Sequence, residues 1–466
     1  RLEQVLKLDP ASAEAHLLLG TIQENAKDLA AARGSYDEAI RLAPGMARAY
    51  DRRGFVRGQQ GETEEAIRDF QEAARLDPRS FDAQYHLGAT LWWTKRPEEA
   101  LPALREAVKL RPAHPEARYY LGLVLEQQGD DVGAIDELRR AVKLAPKLAP
   151  APLRLGLALQ RRGDLPAAIA SLRTAAALDP ASPETANSLG LALLQKGESE
   201  AALATFRKLV KDHPEYKTAR HNLGSALMQM GDLEGAVALY RDMLETDPAD
   251  AESLYNLGMA LKQKDDFAGA EAALRKAVAL DTTLPEPPYT LAVVLWQTGR
   301  PEEAVALLRA AIARRPDYAD AHYVLGTVLR QMGDRDAAIS ELRETIRYQP
   351  SSVEAHRSLG QLLRQKGETA EADAALGEAE RLTRKKADAQ AATFAVGVGL
   401  ERMKQKDTAG AIERFREAVR LAPDYPEAHY QLAIALQATG ARAEAKRQFE
   451  EAHRLAPHLR PLADRP

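Results

Sequence analysis

The chain has 466 residues, 45% hydrophobic and 28% charged, with 5% aromatics and no cysteine. That composition is globular, and it excludes disulfides, zinc knuckles, iron–sulfur clusters and thiol catalysis. With 64 basic against 68 acidic residues the net charge is −4, too small to draw the whole chain to nucleic acid or an anionic membrane.

The first ten residues read as a lone second helix ending at Pro10. The chain opens at Arg1 without methionine, in mid-repeat, so an upstream segment, a signal peptide among the candidates, is expected to be missing. From there proline recurs at Pro44, Pro78, Pro112, Pro146, Pro180, Pro214 and Pro248, then at Pro316 and Pro350, in steps of 34 or its multiple, with Thr282 in the gap. A fixed step of this length is the mark of a repeat array. Alanine holds a second column from Ala32 through Ala270 to Ala445, and glycine a third from Gly20 to Gly399, broken at Ala292 and Ala433. Glycine inside a helix costs about 1 kcal/mol relative to alanine. A column of it therefore predicts a face where a second helix comes very close.

Each unit reads as two helices. Ala117–Gln128 has apolar residues at helical spacing and is closed by Gly129; the second helix runs from about Val132 to Leu144 and stops before Pro146. Acidic residues stand in the first turn of most first helices, as at Glu14, Asp82, Glu116, Glu184, Glu252, Glu286 and Glu354, where they face the positive end of the helix dipole. Prolines at Pro150, Pro152, Pro285, Pro287 and Pro288 fall where first helices begin and shift their starts. Pro102 falls inside a second helix, where a kink or a late start is expected. After Pro350 the phase slips by five residues near Thr383–Asp388, and the spacing resumes with Pro423 and Pro457. The slip is either a prolonged helix or a short hinge. The helix-forming residues of Lys385–Ala392 favour the helix.

The expected organisation is thus a half repeat over 1–10, eleven repeats over 11–384, an insertion or helix extension at 385–389, two repeats over 390–457, and a tail over 458–466. The pattern Tyr255, Leu257, Gly258, Leu261, Ala270, Leu274, Ala277, repeated as Leu432, Ala433, Leu436, Ala445, Phe449, Ala452, Pro457, resembles the tetratricopeptide repeat. The resemblance implies an all-α fold: a right-handed superhelical solenoid of about thirteen helix-turn-helix repeats whose first helices line a concave groove.

There is no phosphate loop, HExxH, EF-hand loop, nucleophile elbow or dinucleotide fingerprint. His16, His322, His356 and His429 share one column, but stacked helices lie ~10 Å apart, too far for one ion to bridge neighbours. No catalytic residue, cofactor or metal is therefore expected, nor any nucleic acid partner or membrane insertion, and the chain is expected to be soluble, cytoplasmic or exported.

The candidate partner-binding residues lie on the first helices. Tyr85, Tyr119, Tyr255, Tyr289, Tyr323 and Tyr430 occupy one column, and Trp92 and Trp296 share their helical face. Arg52, Arg154, Asn222 and Asn256 form a neighbouring polar column. Tyrosine could simply be the common residue of its column; alternatively the rings grip an extended peptide or a partner helix. Neither the carboxylate-clamping residue set nor the unbroken asparagine ladder of some relatives is complete here. The leading expectation is a bacterial-type adaptor for a protein or peptide partner. The alternatives are a structural subunit that joins end to end into a homo-oligomer or filament, and the regulatory arm of an enzyme whose catalytic domain lies elsewhere.

Overall fold

A computed structural model describes residues 9–456. Residues 1–8 of the expected half repeat, Pro457 and the tail at 458–466 fall outside the described residues. The described residues hold twenty-five helices and no strand. They divide into two compact units between Met230 and Gly231.

The first unit carries the helix pairs from Ala13–Asn25 with Leu29–Leu42 through Pro183–Lys196 with Ser199–Asp212, and ends on Lys217–Gln229. The second begins with Leu233–Thr246 and continues from Ala251–Gln263 to Arg442–Leu455. Within each unit a first helix packs on its own second helix, the second helix packs on the next first helix, and successive first helices touch.

The boundaries follow from local chemistry. Asp28, Asp130, Asp164, Asp232, Asp266, Asp334 and Asp407 each cap a second helix by accepting a backbone N–H three residues on. The turn before that cap needs one residue in the left-handed region. Glycine supplies it in nine repeats, but Lys27, Lys95, Asp265 and Lys406 hold the same position at φ of 65°, 59°, 60° and 62°.

The glycine column is a steric requirement. A Cβ on Gly88 would lie 2.5 Å from Leu104 Cγ, one on Gly190 2.5 Å from the Phe206 ring, and one on Gly258 2.5 Å from Leu274 Cγ. The alanine column is fully enclosed in the same contact, with Ala32, Ala134, Ala270 and Ala411 all at 0% exposure. Small residues on the first helix and a large one on the second thus interlock at a single level of each pair.

The late start expected at Pro102 is corrected. The second helix of the third repeat starts at Pro97, not late, and runs unbroken through Pro102 to Leu110. Pro102 is exposed, so the Glu98 carbonyl it leaves without an N–H lies on the wet side of the helix. The first helices with prolines at their starts, Pro150–Arg161 and Glu286–Gln297, are each twelve residues long, and Pro287 and Pro288 are buried.

At the phase slip the chain makes one continuous helix, Thr369–Lys404, of 36 residues. Arg384 stands where the 34-residue step calls for proline, and nothing between Thr383 and Asp388 breaks a helix. Its first half packs Leu376 under Gly360 of the helix Val353–Lys366. Its second half packs Ala392, Ala395 and Val396 against Ala411 and Phe415 of the helix Thr408–Leu421.

Replacing Gly258 by valine forces Leu274 out of its place and is expected to lower stability by about 2 kcal/mol, read as an earlier urea midpoint. Lys95→Gly relieves a left-handed non-glycine residue and should move the midpoint the other way, by about 1 kcal/mol.

Candidate functional site

The first helices carry the candidate residues because their second helices bury the opposite side. In the first unit three of the candidates converge on a residue the sequence reading passed over. Tyr120 lies with its ring 6.1 Å from Tyr85, 5.5 Å from Trp92 and 5.4 Å from Tyr119. Trp93, T-shaped against Trp92 at 4.9 Å, donates its indole N–H to the Tyr120 hydroxyl at 3.3 Å and is 68% exposed. Phe81 stacks on Tyr85 at 5.6 Å and His114 tilts against both. Burial first, then the nearby Tyr120 and Glu116, push the Tyr85 phenol up to about 12, so it is a hydrogen-bond donor at any ordinary pH. The indole N–H of Trp92 is buried without an acceptor.

The polar candidates of the first unit are otherwise occupied. Arg52 is held at 3.0 Å by Asp51, faces Glu24 at 3.6 Å, and lies over the Phe55 ring. Asp51 itself is 3% exposed and receives His86 Nδ1 at 2.7 Å. Arg154 lies beside the Tyr119 hydroxyl. Asn222 donates to Asn187 at 2.8 Å.

These bonds follow a rule that the column reading did not reveal. Asp51 with His86, Glu126 with Arg161, Gln160 with Gln195, Asn187 with Asn222 and, in the second unit, Trp296 with Gln331 are each 35 residues apart. A side chain reaches one position further along the next first helix, so much of the polarity on this face ties repeat to repeat.

In the second unit Tyr255 and Tyr289 are neighbours, and Tyr289 packs on Tyr318 at 5.0 Å. Burial, then Asp320 and Tyr255, raise the Tyr289 phenol above its ordinary value. Tyr323 is half-buried, and Asn256 has interactions of its own. Trp296 donates to Gln331 at 2.7 Å. Tyr430 is different: at 5% exposure it is enclosed against Phe449, so its ring offers no surface to a partner.

Trp93 and Tyr318 were missed because they stand outside the tyrosine column. Trp93 was legible as a departure from the chain's own pattern, since Gln59, Gln127, Gln195, Gln229, Gln263, Gln297, Gln331 and Gln365 fill that place elsewhere.

The histidine column has a structural task. Nε2 of His16, His322, His356 and His429 lies 2.9–3.1 Å from the carbonyl of Pro10, Pro316, Pro350 and Pro423, six residues back. Arg118 and Gln84 donate in the same way to Pro112 and Pro78. The column fastens the proline turn. Among the described residues no cluster could hold a metal ion, and no helix is long and apolar enough to cross a membrane.

A model described as tetratricopeptide repeat matches residues 1–47, 94–149, 153–217 and 221–285. A second of the same description matches 260–328 and 295–362, and one described as TPR repeat matches 56–92 and 399–440. Among solved structures, MamA is 34% identical over 35% of this chain and 96% of its own, with a TM-score of 0.34. YrrB, described as a TPR protein with an unusual peptide-binding site, is 24% identical over 40% of this chain and 95% of its own, with a TM-score of 0.37. Yeast Tom70 is 16% identical over 82% of this chain and 91% of its own, with a TM-score of 0.44. Among curated proteins none matches.

His322 supplies a pH test. Burial opposes its charge, but the Glu341 carboxylate at 2.6 Å and the Pro316 carbonyl outweigh it, so its pKa is raised. A raised folded-state pKa stabilises fully below the unfolded value of about 6.5 and fades as pH climbs through the folded value. The urea-midpoint advantage of the parent over His322→Gln is therefore expected to be largest below pH ~6.5 and to shrink toward pH 9.

Proposed function

The chain belongs to the tetratricopeptide-repeat family, and from that premise we propose that it is a non-catalytic scaffold that holds an extended peptide or a helix of another protein against its first helices. The aromatic cluster of the first unit carries the reading. Trp93 is a large ring left mostly in water, backed by Trp92, Tyr120 and Tyr85, in a chain with few aromatics. Rings that are already packed lose little freedom when a partner arrives, and tryptophan and tyrosine dominate the binding energy of protein interfaces. In the second unit Tyr255, Tyr289, Tyr318 and Tyr323 offer a smaller version of the same surface.

The polarity of the face supports a partner read by shape and ring contact more than by charge. Arg52, Asn222 and Trp296 already have partners within the chain, so a ligand that relied on them would first have to displace those bonds. His16, His322, His356 and His429 are likewise engaged, each with a proline carbonyl.

Affinity capture from the native source, followed by mass spectrometry, tests the proposal with two variants. Trp93→Ala should cost one set of partners about ten-fold or more in affinity, and the triple change of Tyr255, Tyr289 and Tyr323 to alanine should weaken those of the second unit. Full retention of every partner by both variants would remove this face from the account.

A further inference from the structure

The regular repeat has a place that the twelfth repeat leaves unfilled. Along the column that contains Phe394, twelve first helices carry a small buried residue: Ala49, Ala83, Ala117, Thr185, Ser253 and Ala428 among them, each at 0–3% exposure. Such a residue is pressed on the end of the preceding second helix, as Ala117 shares a cluster with Ala107 and Ala428 with Ala418. Phe394 stands in that column at 76% exposure. The reason is the continuous helix Thr369–Lys404, which takes the preceding second helix straight on and brings no helix end back to cover it.

The preceding repeat is built to match. Most repeats seat the next one with a buried aliphatic, as at Ile67, Ile135, Ile169, Val237, Ile339 and Ile412, with Arg33 and Glu271 half-buried in the same column; the eleventh repeat has the exposed Asp373. Where Val108, Val142, Val278 and Val419 are half-buried, it has the exposed Glu380. The last repeat carries Lys446 and His453 at those two positions, also exposed. Thus the eleventh repeat ends as a polar cap, and the twelfth opens a new stack with its receiving face apolar.

A recess lies beside Phe394, lined by Ala391, Ala395, Val398, Arg402, Arg414 and Glu417. In other repeats the proline turn occupies this level and its carbonyl accepts from the histidine column; Ala395 is the residue of that column here. Arg414 pairs with Glu417 through one terminal nitrogen at 2.7 Å, yet its Nε–H is buried with no acceptor. Arg402 faces Asp407 at 3.3 Å.

We propose that this face binds the C-terminal end of an amphipathic helix from another protein, seated as the missing second helix would be. Its aliphatic stripe covers Phe394 and Val398, a glycine opposite Phe394 makes room for the ring, and a free carbonyl of its last turn accepts from Arg414 Nε. Arg402 and Arg414 are each paired with a carboxylate, Asp407 and Glu417, so the open Nε–H of Arg414, and not net charge, recognises the carbonyl. A second copy of this chain is a poor occupant, because the described second-helix faces at Asp373 with Glu380 and at Lys446 with His453 are polar.

The probe is a labelled, helix-stabilised, C-terminally amidated peptide with the sequence of residues 408–423 carrying Ala418→Gly, titrated into the full chain and read by fluorescence anisotropy. Saturable binding is expected, weakened about ten-fold or more by Phe394→Asp and several-fold by Arg414→Met, and unmoved by Trp93→Ala. Phe394 is exposed, so its substitution leaves the fold intact, which circular dichroism checks. Absence of saturable binding, or equal binding by the Phe394→Asp chain, overturns the proposal. So does a dimer in sedimentation that Phe394→Asp dissolves, which would make the face a contact between copies.

Discussion

Everything else in these units rests on how near the two helices of a pair can come. Where Gly88 meets Leu104, or Gly190 meets Phe206, no room remains for even a methyl group, and the alanine of the facing column is sealed at the same level. That one interlock sets the spacing of each pair, and the spacing sets where the next first helix can lie. Ala292 shows the tolerance of the arrangement: it stands in the glycine column fully buried, with Leu308 still enclosed opposite. The array therefore accommodates an occasional methyl, while a branched side chain would have to displace the core residue itself.

The helix pairs were legible in the sequence because their determinants are local and recur. Pro44 or Pro146 ends a helix by its own covalent geometry, and a glycine or alanine seen at every thirty-fourth residue reports a contact without any knowledge of its partner. Contacts between repeats were not legible in the same way. The bonds of Asp51 to His86 and of Asn187 to Asn222 depend on how far one first helix is offset along the next, which no single repeat encodes. The column of tyrosine misled for a related reason. A column names a shared position, yet Tyr430 lies buried on Phe449 while Tyr323 is half-open.

Departures from the repeat proved more informative than its consensus. Trp93 among glutamines, Phe394 among alanines and Glu380 among aliphatics each mark a place where the surroundings differ from the average repeat. In a solenoid the consensus describes what neighbouring modules demand of one another, so a residue that violates it has either lost that neighbour or gained a different one. The exposed pairs between second helices, such as Arg275 with Glu303 at 2.8 Å and Arg343 with Glu371 at 2.7 Å, contribute little energy by comparison, because both partners remain in water.

The unbroken rod from Thr369 to Lys404 also makes angle a heritable quantity. Each residue of an α-helix advances the chain by about 1.5 Å and turns it by about 100°. Any gain or loss of a residue between Thr383 and Asp388 would swivel the terminal pair of repeats around that axis by a quarter turn or more while leaving every packed layer on both sides untouched. A length change there is thus a dial for aiming the two repeats that follow, and the contact it breaks is the exposed pair of Lys385 with Asp424 at 2.8 Å, which contributes little.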